Sequence, residues 1–337
     1  MSRPETAGRS EIISAIVALW LVVTASAAGP AQAGSADEWA EPMPLALSSL
    51  LLDADIQGSR IIVVGERGHV LLSDDRGAHW QQAAVPTRST LTAVQVIGDD
   101  HAWAVGRDGL ILHSDDGGFS WARQRQSQEP DRPLLDVWFA DPRRGIAIGA
   151  YGLLLSTEDG GRTWRDYRGN DEGAHANAIA EAPDGTLYIA GEFGSILRSD
   201  DGGRSWHRLP SPYQGSFFGL LALQDSTILV FGLRGHLFRS EDRGLSWQRI
   251  ETGSAATLLT GLVRADGSIV IAGLNGALLS SENGGRKFQL QQLSHRRGIA
   301  ALIELGPDEL LTVGEGGLTT IPAPGLGAKA SVAVDAR

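Results

Sequence analysis

The chain of 337 residues contains no cysteine. That absence excludes disulfides, thiolate catalysis, Cys-ligated metals and a lipid-modified N-terminal cysteine. Lysine is nearly absent as well: Lys287 and Lys329 stand alone, so almost all positive charge is arginine. Such a bias reflects either genomic composition or a preference for bidentate anion recognition. Charged residues make up only 20%, with a net formal charge of -11, which argues against a nucleic-acid backbone as partner. Long apolar runs are missing too. Residues 12–23 form one near the N-terminus, shorter than the ~20 residues that a bilayer crossing needs. It follows Arg3 and Arg9 and precedes Ala31-Gln32-Ala33, a small-x-small cleavage site. Residues 1–33 are therefore expected to be a secretory signal, leaving a soluble periplasmic or secreted protein. Their removal takes away Arg3, Arg9, Glu5 and Glu11, so the charge is unchanged.

What the chain has in quantity is repetition. Ser114-Asp115-Asp116-Gly117-Gly118-Phe119-Ser120-Trp121 fits S-x-D-x-G-x-x-W, and copies carry Asp75 and Trp80, Asp159 and Trp164, Asp201 and Trp206, and Asp242 and Trp247. A sixth, degenerate copy has Asn283 and Phe288. Successive aromatics lie 41 to 43 residues apart, a period of propeller blades. A second signature, G-x-x-G, precedes each box, and it occurs seven times, from Gly65/Gly68 to Gly314/Gly317. The first Gly stands 15 residues before the box aromatic in all six complete copies. Around residues 91–121 the pattern reads as four short strands with Gly/Asp turns and no helical periodicity between them, which is one blade. The fold expected is an all-β, seven-bladed β-propeller of four-stranded antiparallel blades over residues 34–322, with 323–337 as a flexible tail.

Seven glycine turns against six boxes leave one outer strand to find. Trp39 lies 41 residues before Trp80 and 26 before Gly65, the repeat's own spacing. An N-terminal strand near 39–44 is thus expected to complete the last blade and close the ring.

The box offers carboxylates and a hydroxyl, which invites a catalytic reading. A catalytic pair is needed once, at one place, whereas this constellation recurs around the rim. Its Asp is placed to accept backbone N–H bonds of its own tight turn, its second Gly permits φ > 0, and its Trp packs between blades. Asn283 and Phe288 keep those roles without the charge. The box residues are expected to be structural, and no catalytic residue, cofactor or metal ligand is assigned. The G-x-x-G turns read as hairpins in which Gly supplies positive φ, since no helix follows to hold a phosphate. Histidines such as His79, His101, His113 and His236 read as scattered singly, with His69 and His236 at equivalent positions of different blades.

The box is the Asp box of bacterial-neuraminidase-type repeats. The fuller unit over residues 104–121 resembles the photosystem II assembly and stability factor family, and the resemblance spans about residues 39–321. It implies a seven-bladed propeller of the thylakoid lumen or periplasm that binds an unassembled membrane-protein subunit through an arginine-rich surface. No residue of that surface is carried over by alignment. The lipid-anchoring cysteine of some relatives is absent here.

Sialidases share the Asp box, so a glycoside hydrolase is the alternative. Their chemistry resembles an arginine triad with a Tyr nucleophile, paired with Glu, and an Asp acid. Here Arg60-Ile61-Ile62 lacks the expected Pro, and Tyr151, Tyr167, Tyr188 and Tyr213 have no evident Glu partner. The preferred reading is a non-enzymatic, monomeric platform or assembly factor for a membrane complex, whether a photosynthetic one or an envelope transporter. Its binding face is expected opposite the boxes, with Arg67, Arg107 and Arg234 from the G-x-x-G turns and Arg88, Arg132, Arg296 and Arg297 from the crossovers between blades.

Overall fold

The computed structural model describes residues 39–127, 132–167 and 173–324. The expected secretory signal and most of the C-terminal tail lie outside them. Strands form seven antiparallel sheets, each strand pairing with its sequence neighbour; six sheets have four strands and the last has three. The first strands of the blades are Leu51–Gln57, Leu91–Ile97, Leu134–Phe139, Ala176–Glu181, Phe217–Ala222, Leu258–Val263 and Ile299–Gly306. They touch one another in chain order, and the seventh touches the first, so the blades form a closed ring.

Composition explains the layering. Second and third strands are short, apolar and buried on both faces, as in Arg60–Gly65 and Val70–Ser73, because each blade is covered by a neighbour on either side. Each apolar cluster accordingly lies between adjacent blades. Trp121 packs with Ile62 and Leu72 of the preceding blade, and Trp80, Trp164, Trp206, Trp247 and Phe288 hold the same place at the other junctions. Trp103 of blade two is fully buried, and its ring stacks on Phe139 of blade three at 3.7 Å between centroids.

Each first strand carries a register shift beside its G-x-x-G turn, for example between Leu91 and Ala93. Bulges of this kind re-aim side chains. Thr92 Oγ1 donates to Leu134 O (2.8 Å), and Asn177 Nδ2 to Phe217 O (2.7 Å), each in the next blade.

The expected closing strand is a correction. Among the described residues the last blade keeps three strands, and residues 39–44 form none. Their hydrogen bonds go to blade one: Ala40 N donates to Val85 O (2.9 Å), Met43 N to Gln82 Oε1 (2.9 Å), and Gln82 Nε2 to Glu41 O (2.9 Å). The chain then turns through a short 3₁₀ segment, Ala46–Ser48, which meets the glycine turn of blade seven at Gly317. Prolines at 42 and 44 lack the N–H groups that a paired strand must donate, which accounts for the departure. The seam between blades seven and one is held instead by packing of Leu51, Ile61 and Val63 on Ala301, Ile303 and Val313. Arg76 also crosses it, donating to Leu305 O (3.1 Å) and Glu304 O (3.3 Å).

Candidate functional site

The boxes come first, because their geometry decides what they can do. In the template copy, Ser114 Oγ donates to Asp116 Oδ1 (2.8 Å) and accepts from Gly118 N (2.7 Å). Asp116 also accepts from Ser120 N (2.9 Å) and Ser120 Oγ (2.5 Å), and Trp121 Nε1 donates to Gly118 O (2.9 Å). Gly118 has φ +97°. The bonds to the carboxylate recur at Asp159, Asp201 and Asp242, where a Thr or Ser hydroxyl and then a backbone N–H hold each carboxyl down at about 2. Such a carboxylate is a fixed acceptor and cannot shuttle protons at neutral pH. Asn283 Oδ1 reproduces the turn, accepting from Ser281 Oγ (3.0 Å) and Lys287 N (3.0 Å).

The opposite face is built by the G-x-x-G turns. In all seven blades the residue after the first Gly donates its N–H to the carbonyl just ahead of that blade's first strand, as Glu66 N does to Leu50 O (3.0 Å) and Glu315 N to Gly298 O (3.1 Å). The turn and the crossover therefore sit side by side on one face. The two glycines have different causes. The first is extended (φ -173° at Gly65), and a Cβ there would collide with the crossover carbonyl; the second has positive φ (+71° at Gly68). Reading both as positive-φ positions is thus corrected for the first. Between them, in the first six blades, the third residue of the turn has a left-handed backbone although it is not glycine: Arg67, Asp108, Tyr151, Phe193, Arg234 and Asn275 all lie between φ +52° and +60°, and all but the half-buried Asp108 are exposed.

That slot separates the arginines assigned to this face. Arg67 and Arg234 occupy it, exposed, whereas Arg107 stands one position earlier and is half-buried. Arg296 and Arg297 are exposed on the crossover into blade seven. None of these five forms an ion pair among the described residues. Arg88 is engaged, by Glu41 (2.6 Å) and Trp39 O (3.0 Å), and Arg132 lies 4.0 Å from Asp166. The acids of the same turns are engaged in local hydrogen bonds. Glu66 accepts from Leu50 N (3.2 Å), Glu192 from His175 N (3.3 Å) and Glu315 from Gly298 N (2.7 Å), while Asp108 accepts from Ser89 Oγ (3.2 Å). The face consumes its carboxylates in backbone bonds and leaves guanidinium groups outward. Order around the ring spreads them, with Arg67 on blade one, Arg107 on blade two and Arg234 on blade five.

Sequence reasoning missed two features. His101 and His113 are not single: Nδ1 and Nε2 lie 3.1 Å apart, because the two fall on paired strands of one hairpin. Their spacing across a predicted hairpin was the available signal. The other is a set of carboxylates on the first strands. Asp53, opposite Val64, and Asp136, opposite Ile148, occupy one register slot, which holds Ala93, Ala178, Gly219, Thr260 or Ala301 in the other blades. Asp53 Oδ2 accepts from Val94 N (2.9 Å), Asp136 Oδ2 from Ile179 N (2.9 Å) and Asp55 Oδ2 from Val96 N (2.7 Å), each in the next blade. Burial pushes the Asp136 carboxyl up to about 7, and Asp53 well above its usual range with help from the charge of Asp136. Of the tyrosines, Tyr188 is buried in a second strand and Tyr151 stands in a glycine turn.

Comparison with known proteins follows the same line. The family described as "Photosynthesis system II assembly factor YCF48" matches residues 31–133 and 124–262. Photosystem II assembly protein Ycf48 of Synechococcus sp. (strain JA-3-3Ab) is 35% identical over 72 residues, 20% of this chain and 22% of that protein. Photosystem II stability/assembly factor HCF136, chloroplastic, of Cyanidioschyzon merolae is 44% identical over 48 residues, 14% of this chain and 11% of that protein. These matches span about a fifth or less of the curated relatives' length. A solved structure described as YCF48 bound to D1 peptide has a TM-score of 0.68 at 18% identity, covering 86% of this chain and 98% of that one. A streptogramin B lyase reaches 0.69 at 14% identity, covering 84% and 96%. At such identities the structural likeness establishes the propeller fold.

Proposed function

The chain belongs to the photosystem II assembly factor (YCF48) family, and from that premise we propose that it is a non-enzymatic, exported docking platform that receives a segment of a membrane-complex subunit on its glycine-turn face. The observation that carries this reading is the imbalance on that face. Its acids are spent on crossover amides and a serine hydroxyl, while Arg67, Arg107, Arg234, Arg296 and Arg297 make no ion pair among the described residues. Outward guanidinium groups on a chain of net charge -11 form a local attraction for carboxylates, and their planar forks suit bidentate recognition. A relative of the same fold is described as bound to a peptide of D1, which supports a peptide segment as the kind of client. The box geometry supports the absence of hydrolytic chemistry, since carboxyls held near 2 serve turns. Export and a periplasmic or secreted location belong to the same proposal and rest on residues 1–33.

The test replaces Arg67, Arg107 and Arg234 together by Gln. Crosslinked pull-down from envelope extract followed by mass spectrometry is expected to recover a membrane-complex subunit with the wild type and at least tenfold less with the variant, at unchanged melting temperature. Equal capture by the folded variant defeats the arginine-face reading. Hydrolysis of a sialoside panel by the wild type defeats the non-enzymatic one.

A further inference from the structure

Between Arg107 on blade two and Arg234 on blade five, the same face carries a different chemistry. The outward slot of the glycine turn holds Tyr151 on blade three and Phe193 on blade four. Both are half exposed, at 53% and 55%. Both also have left-handed backbones, φ +55° and +52°, a conformation that Gly, Asn and Asp tolerate and bulky side chains do not. Asp108 and Asn275 show that the slot accepts the tolerant residues in other blades. The two rings therefore occupy positions that cost backbone strain while contributing little to the core. Strain that local packing does not reward points to use elsewhere.

Residues of the neighbouring crossovers pack beside them. His175, on the crossover between the two blades, meets the Tyr151 ring edge-on at 4.9 Å and 78°. Its backbone N–H donates to Glu192, the residue next to Phe193. On the far side, Tyr213 of the following crossover packs edge-on against His236 at 4.4 Å, beside Arg234. Aromatic rings thus stand on blades three, four and five of this face, between Arg107 of blade two and Arg234 of blade five.

We propose that Tyr151 and Phe193 form an apolar subsite of this face, seating a large apolar side chain of an extended partner segment whose flanking carboxylates meet Arg107 and Arg234. The inference rests on the docking-platform reading and adds the composition of the client: an aromatic or aliphatic residue with acidic neighbours. Charge complementarity selects this occupant, because an apolar patch between the half-buried Arg107 and the exposed Arg234 favours a segment that is apolar in the middle and acidic at its ends.

The experiment uses a Tyr151→Gly/Phe193→Gly variant of the full chain. Glycine relieves the left-handed strain at both positions, so this variant is expected to melt no lower than the wild type. A random 12-residue peptide library displayed on phage is panned on the wild type. Enriched sequences are expected to combine Phe, Trp or Leu with Asp or Glu, and their synthetic forms to bind the glycine variant at least tenfold more weakly. A Tyr151→Phe/Phe193→Leu variant is expected to restore binding.

Enrichment of acidic sequences without apolar preference, bound equally by the glycine variant, overturns the subsite. If those sequences are still lost on the triple arginine variant, the platform reading survives alone. No enrichment on the wild type overturns both. A lower melting temperature of the glycine variant assigns the rings to the scaffold and overturns the subsite. So does a wild-type dimer in sedimentation that this variant dissociates, since the face would then join two copies.

Discussion

At the scale of single residues, one residue type takes two opposite environments in this chain. Asp116 is held at the rim by hydroxyl and amide donors; Asp136 is held inside by two amides, from Val137 and Ile179, at the cost of desolvation. Replacing Asp116 by Ala should cost about 1–2 kcal/mol, the usual loss when several turn donors lose their acceptor. Replacement by Asn should cost less, since Asn283 already performs that role. Thermal melting of the two variants checks the order. Asp136 has a folded-state pKa of about 7, above the usual unfolded carboxyl value, so the folded protein holds more protons between roughly pH 4 and pH 7. Its contribution to stability is complete below the unfolded pKa and is lost as pH rises through about 7. Denaturation midpoints from pH 4 to 8 should fall more steeply with rising pH for the wild type than for Asp136→Asn. The buried His69 and the half-buried His113 and His236, with lowered pKa values, act in the other direction in both proteins, so the difference reports Asp136 together with its coupling to Asp53. The rim aspartates were legible because every partner lies within a few residues in sequence. Asp53 and Asp136 were not, because their partners are amides about 40 residues away whose position depends on strand register.

At the scale of the element, the glycine turn explains itself once its two glycines are separated. The first meets a carbonyl and the second needs a left-handed backbone. Gly191→Ala should therefore be strongly destabilising, about 3 kcal/mol or more, since the His175 carbonyl occupies the space of the new Cβ. Substitution of Asn275 by Gly, in the outward slot of blade six, should leave the melting temperature nearly unchanged. Spacing alone predicted that these turns exist and recur. It could not say which glycine was steric, because that depends on a crossover approaching from elsewhere in the chain. The same limit explains the misplaced N-terminal strand. Trp39 keeps the repeat's distances, but the prolines after it break the pairing that the distances suggested.

At the scale of the whole molecule, the ring closes through side chains and packing at the seam between blades seven and one. Gly317 marks that seam, where a Cβ would strike Leu47 and Ser48. Gly317→Ala should lower the melting temperature by several degrees, more than deletion of residues 39–44, which leaves every sheet pair of the last blade in place. Reversal of that order in calorimetry would restore the closing-strand expectation. The seven-bladed ring of four-stranded antiparallel blades was legible from periodicity. The partition of the opposite face into guanidinium and aromatic sectors was not, because neighbours on that face belong to different repeats.

The outward slot of the glycine turn has one more consequence. Its backbone is set by bonds made on either side of it, repeated in the first six blades, so the identity of the displayed side chain has little bearing on whether the ring assembles. Positions 67, 108, 151, 193, 234 and 275 behave as six interchangeable sockets on a common frame. A lineage could exchange one client for another by changing a few of them, with the architecture untouched, and a combinatorial library confined to these six codons would explore recognition while sparing foldability.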